Sequence, residues 1–133
     1  MTDTQQLTAR LQRAWQGRIS GCMLGKAVET FSMRAGGDAL QKYLSDVSAL
    51  PLRDYIPYDP EHAPDLIDKR CCAGHLHQSW PDDDVNYSTL ALMMLEKFGS
   101  QLTTTDVART WMKYLPVAST FTAERAAYRT LLN

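Results

Sequence analysis

The sequence predicts an all-α fold: a compact orthogonal helical bundle, one domain over residues 1–133, with a long irregular loop at about 51–81. Three observations predict it. Apolar residues recur at three- and four-residue steps over several stretches, the period of a helix with one buried face. No stretch alternates apolar and polar residues as a half-buried strand would. Glycine, proline and Thr/Asp residues punctuate the apolar stretches where helices would start and stop.

Residues 4–29 read as one long helix, with Leu7, Leu11, Ala14, Trp15, Ile19, Cys22, Met23 and Ala27 at helical spacing. Gly21, Gly25 and Glu29 are spaced by four and so share one face of it. A glycine inside a helix costs about 1 kcal/mol relative to alanine. Two on one face suggest that another backbone or a ligand comes close, with Glu29 projecting at the end of the groove. Ordinary helix packing with a solvated Glu29 is the competing reading. Gly36-Gly37 marks a turn, supplying positive backbone angles. Asp38 can then cap a short helix over about 38–48, stopped by Leu50-Pro51.

The segment 51–81 is rich in proline and acids, too apolar at Leu52, Tyr55, Ile56, Tyr58, Leu66 and Ile67 for a plain linker, and reads as an ordered cover over a site. Within it, His75 and His77 form an His-x-His pair that can chelate a transition metal, although ordinary loop hydrogen bonding explains it as well. Nothing in the sequence singles out Cys71 or Cys72 as a nucleophile. Residues 84–98 form a helix apolar nearly all round, which predicts a central, buried position, and Gly99 suits its stop. Thr103 to Asp106 is a capping-type start for a helix that Pro116 ends. A last helix runs over about 122–132, with Thr120 or Thr122 as its cap.

The acidic run Asp82-Asp83-Asp84 stands where the loop enters the apolar helix. Consecutive like charges repel, so a fold places them in water, at the positive pole of a helix, or around a cation. A Mg²⁺-binding helix start and a solvated, well-capped one both satisfy that physics. The place of the run on a buried, rigid helix favours a purpose for it.

Composition narrows the classes. With 44% hydrophobic and 22% charged residues and a net charge of -1, nothing points to nucleic acid or an acidic membrane. Three cysteines, two of them adjacent and none in a C-x-x-C pair, fit a reducing cytoplasm better than a disulfide framework or a structural zinc site. The N-terminus is polar, unlike a signal peptide, and no apolar run reaches the length that spans a bilayer.

Taken together, these stretches resemble the ADP-ribosylglycohydrolase family, which includes dinitrogenase-reductase-activating glycohydrolase. Trp15 to Glu29 is similar to the family's opening helix, with its G-x-x-x-G-x-x-x-E frame at Gly21, Gly25 and Glu29. Asp82-Asp83-Asp84 is similar to its T/D-D-D metal motif, and Asn86 to Leu92, Trp111, Leu115-Pro116 and Thr122 to Arg129 match one bacterial branch. The resemblance implies an all-α hydrolase with a two-ion Mg²⁺ centre, or Mn²⁺ in its place, that removes ADP-ribose from modified side chains or related conjugates. It implies Asp82, Asp83 and Asp84 as metal ligands, and Glu29 and Asp83 as catalytic carboxylates.

The family's second aspartate motif, of G-D-T-D type, has no counterpart after Asp84, where the acids are Glu96, Asp106 and Glu124. By this resemblance the chain looks like the N-terminal part of the family fold, which would make it a truncated form, a half that pairs with a complementary C-terminal half, or a short homologue reused as a binding module. Exposed apolar helix faces and self-association are expected in the first case. A third class of function, diphosphate binding through Asp82-Asp83-x-x-Asn86, resembles the motifs of isoprenoid synthases but lacks their second acidic motif.

Overall fold

A computed structural model of the protein describes residues 2–132. It is all-α: α1 (Asp3–Lys26), α2 (Glu29–Ala35), α3 (Gly37–Asp46), α4 (Asp83–Phe98), α5 (Thr104–Tyr114) and α6 (Thr122–Leu132), with no strand among the described residues. No helix is long and apolar enough to cross a membrane. The chain divides into two compact units, Met1–Asp82 and Asp83–Asn133.

In the first unit, α1 starts on a reciprocal cap: the Thr2 hydroxyl accepts from the Gln5 amide, and Oε1 of Gln5 accepts from the Thr2 amide at 2.9 Å. The helix does not run on to residue 29. It ends at Lys26, Ala27 caps it, and Val28 leaves helical geometry at φ -123° and ψ 0°. The cause is tertiary. Ala27 and Val28 are buried, and the Ala27 carbonyl accepts a hydrogen bond from the distant Asp68 amide at 2.9 Å. In a continuing helix that carbonyl would serve the residue four positions on. Glu29 consequently opens α2 and is not part of α1, the helix that carries Gly21 and Gly25.

The core of this unit gathers Met23, Ala27 and Val28 around the α1–α2 junction, Phe31 from α2, and Tyr43 and Leu44 from α3. Ile56, Ile67, Cys71 and Cys72 complete it from the segment that follows α3. That segment is irregular, as its prolines predict, apart from a 3₁₀ turn at Lys69–Cys71. It is ordered by what it buries. The Tyr43 hydroxyl donates to the Pro57 carbonyl at 2.8 Å, and the Ala73 amide to the Ile56 carbonyl at 2.8 Å. Leu7 and Leu11, expected on a buried face of α1, are 54% and 55% exposed, because the core forms around the last turns of α1 only. Gly36 takes the positive φ expected of the turn, at 87°; α3 starts there without a side-chain cap, and Asp38 sits in its first turn instead.

In the second unit, α4 packs on α5. The Tyr128 hydroxyl of α6 is shared between the Trp111 and Leu115 carbonyls at the end of α5. The expectation that α4 is buried all round is corrected. Leu90 and Met94 are buried, while Leu92 is 44% and Leu95 55% exposed. A unit of three helices covers one side of α4 and has too few elements to cover the rest. Gly99 ends the helix at φ 60°, as expected.

The start of α5 is the capping box that Thr103-x-x-Asp106 predicts: the Thr103 hydroxyl accepts from the Asp106 amide at 3.2 Å, and the Asp106 carboxylate accepts from the Thr103 amide at 3.1 Å. Thr120 spends its buried hydroxyl on the Val117 carbonyl at 2.6 Å, and Thr122 lies inside α6, so neither caps that helix in the expected way. Replacing Thr103 by alanine removes one of these two bonds and is expected to cost about 1 kcal/mol. Hydrogen exchange at the α5 amides should speed up about fivefold, with Thr103→Ser restoring most of the protection.

Candidate metal centre

The acidic run lies across the junction of the two units, so its members have different surroundings. Asp82 ends the first. The approach to it is held by Trp80, whose amide donates to the Met23 sulfur at 3.2 Å and whose ring lies under the Arg70 guanidinium, 4.5 Å from its centroid. Arg70 is itself clamped by Asp68, with its Nε and Nη2 donating to the two carboxylate oxygens at 2.9 and 2.8 Å. That bond holds the Asp68 carboxyl below the usual carboxylate range. The Asp82 side chain is 9% exposed and faces Lys26 Nζ at 3.4 Å, an ion pair from the last turn of α1. Within its own unit, the other potential metal-binding atom near the Asp82 carboxylate is Sγ of Cys22, no more than 4.8 Å away.

Asp83 and Asp84 open α4 and are exposed. The positive pole of a helix accommodates both charges, and Oδ1 of Asp83 accepts from the Asp84 amide at 3.2 Å. Asp83 stands at the rim of a cleft of about 430 Å³ in the second unit, with Asn86, Tyr87, Leu90, Tyr114 and Ser119 among its lining. Tyr87 packs against Trp111 at 5.7 Å between ring centroids. Burial, reinforced by a hydrogen bond to Glu124, pushes its phenol up to about 12, so Tyr87 is a neutral hydrogen-bonding group at any physiological pH.

Two of the later acids of this unit are committed locally. Asp106 belongs to the α5 cap, and Glu124 accepts from the Phe121 amide at 3.2 Å as well as from Tyr87.

Glu29 is exposed in the first turn of α2 and joins no group of three potential ligands among the described residues. Of the two neighbours expected at the glycine face, a backbone or a ligand, the backbone is corrected. A Cβ added at Gly21 or Gly25 would meet nothing within 4 Å, so the glycines front open space rather than a packed backbone. His75 packs edge-on to Tyr58, 5.9 Å between centroids, and neither His75 nor His77 enters a ligand group among the described residues. The first unit also holds an ion pair that the sequence reading missed, His62 Nδ1 to Asp59 Oδ2 at 2.7 Å, although its i, i+3 spacing was visible. The Asp82–Lys26 pair had no such local signal.

The donor chemistry fits Mg²⁺ in part. Asp83 and Asp84 offer the hard oxygens that the ion takes. Asp82 does not fit as cleanly, because an ammonium already balances it and the neighbouring donor is a soft sulfur, which suits a transition metal better than Mg²⁺.

Thiol chemistry finds no support. Cys71 and Cys72 are fully buried, and burial raises both, Cys72 to about 11. No protein-family model, curated protein or solved structure matches this chain. A disulfide reagent at pH 8 is expected to label the half-buried Cys22 in the native protein and to reach Cys71 and Cys72 only on unfolding. Cys22→Ser should then abolish native-state labelling; rapid labelling of that variant would show that the core thiols are accessible.

Proposed function

We propose that the chain is the aspartate-bearing, N-terminal part of a Mg²⁺-dependent ADP-ribosylglycohydrolase-like hydrolase, with ADP-ribose or an ADP-ribosylated side chain as its ligand. The observation that carries this reading is the placement of Asp83 and Asp84. Two exposed carboxylates share the first turn of one helix, and the first of them borders a cleft that also offers an amide and two phenols. Asp83 and Asp84 would hold the ion, with Asp82 contributing once released from Lys26; Mn²⁺ satisfies the same oxygens. The bound cation would neutralise a diphosphate and polarise a ribose diol. Glu29 and Asp83 are the carboxylates proposed for proton transfer. Asn86 and Ser119 supply neutral hydrogen-bonding groups for a polyol, and Tyr87 and Tyr114 supply apolar ring faces.

Activity of this chain by itself is a separate matter. The sequence holds one aspartate cluster, and of the later acids Asp106 and Glu124 are engaged in caps. A two-ion centre would need further ligands from a complementary segment. A second reading, a helical module that binds a partner or ADP-ribose without turnover, is favoured by the exposed Leu92 and Leu95 of α4.

Calorimetric titration with Mg²⁺ or Mn²⁺ is expected to give a saturable heat that Asp83→Ala and Asp84→Ala each weaken by more than about tenfold, or 1.4 kcal/mol. Asp82→Asn should weaken it less, since its charge is already balanced. No heat from the parent chain would overturn the metal site. Incubated with ADP-ribosylated arginine or serine peptides, the 133-residue chain is expected to release little or no ADP-ribose. Robust turnover would show that one acidic cluster suffices.

A further inference from the structure

The first unit contains a second concave site that the acidic run does not touch. It is a cleft of about 460 Å³ between α1, which contributes Ser20, Gly21 and Leu24, and the stretch Leu52 to Tyr55. Its volume lies in the range of small-molecule sites.

Its irregular wall is pinned on both sides. Ahead of it, the Ala49 amide donates to the Leu44 carbonyl at 2.8 Å. Behind it, Ile56 is 2% exposed, its carbonyl accepts from the Ala73 amide, and the next residue, Pro57, accepts from the Tyr43 hydroxyl. The opposite wall is a regular helix. The space is therefore preformed, and the open ground in front of Gly21 is part of it.

The lining has a definite chemistry. Leu24, Leu52 and the Tyr55 ring are apolar, and Ser20 adds a hydroxyl. Arg53 lines the cleft and is in no ion pair among the described residues. The acid beside it, Asp54, turns Oδ1 to the Tyr55 amide at 2.7 Å. The cleft thus combines an apolar surface with a guanidinium whose planar fork matches a carboxylate. We propose that it binds a small organic carboxylate with an apolar body, the carboxylate on Arg53 and the body along Leu24, Leu52 and Tyr55.

The test uses the full chain, ¹⁵N-labelled, titrated with 3-phenylpropionate and, in parallel, with the neutral 3-phenylpropionamide. Saturable amide shifts confined to residues 20–24 and 52–55 are expected, with the amide binding at least tenfold more weakly. Arg53→Gln should weaken the acid by at least tenfold and leave the amide unchanged. Gly21→Leu, whose Cβ meets no neighbour, fills the cleft and favours the helix; it should abolish binding of both while circular dichroism stays native. No saturable shifts, equal affinity for acid and amide, or undiminished binding by either variant overturns the proposal.

Discussion

The hydrogen bond from the Asp68 amide to the Ala27 carbonyl is the constraint on which the first unit turns. It takes an acceptor that α1 would need in order to continue, so the helix stops and α2 starts afresh with Glu29 at its head. The same residue organises the irregular segment. The Asp68 carboxylate accepts from the Arg70 amide and guanidinium, and its carbonyl accepts from the Cys71 amide. Arg70 then lies over Trp80, which is fastened to Met23. One residue without regular secondary structure thereby links the end of α1, the buried cysteines and the approach to the acidic run. A buried carbonyl left without this donor would cost about 1–3 kcal/mol, enough to decide between two helix ends.

The acidic run shows how neighbours in sequence can have unlike electrostatics. Asp82 is nearly buried and balanced by an ammonium; Asp83 and Asp84 are exposed and sit on a helix pole. Desolvating a carboxylate is expensive unless a countercharge comes with it, which Lys26 supplies for Asp82. Asp83 and Asp84 are exposed at a helix start, where the helix pole favours their charge. Their value as ligands comes from standing on the first turn of a helix, where backbone geometry limits how far the two can move apart.

Much of the fold was legible because its causes are local. Thr103-x-x-Asp106, Gly36, Gly99 and the proline-rich segment each act within a few residues, and each produced the predicted start, turn or stop. The helical class follows from periodicity alone. The failures share one origin. The end of α1 depends on Asp68, and the state of Asp82 depends on Lys26, partners far away in sequence that no spacing rule connects. For α4, periodicity reported how apolar the helix is but not how much material surrounds it, so Leu92 and Leu95 were placed inside and lie outside. At the acidic run, the sequence correctly placed Asp83 and Asp84 at the start of a helix. The helix that carries Glu29 was not legible, because the end of α1 follows from a bond made by the Ala27 carbonyl.

The irregular segment carries an implication for anyone who would re-engineer this chain. Long stretches without helix or strand are usually the tolerant parts of a protein, the places to cut, insert or permute. Here such a stretch supplies four of the ten buried residues of the first core, Ile56, Ile67, Cys71 and Cys72. It behaves as a structural element written in turns rather than in a repeating ladder. Grafts or tags belong instead in the exposed opening turns of α1, where Leu7 and Leu11 already face water.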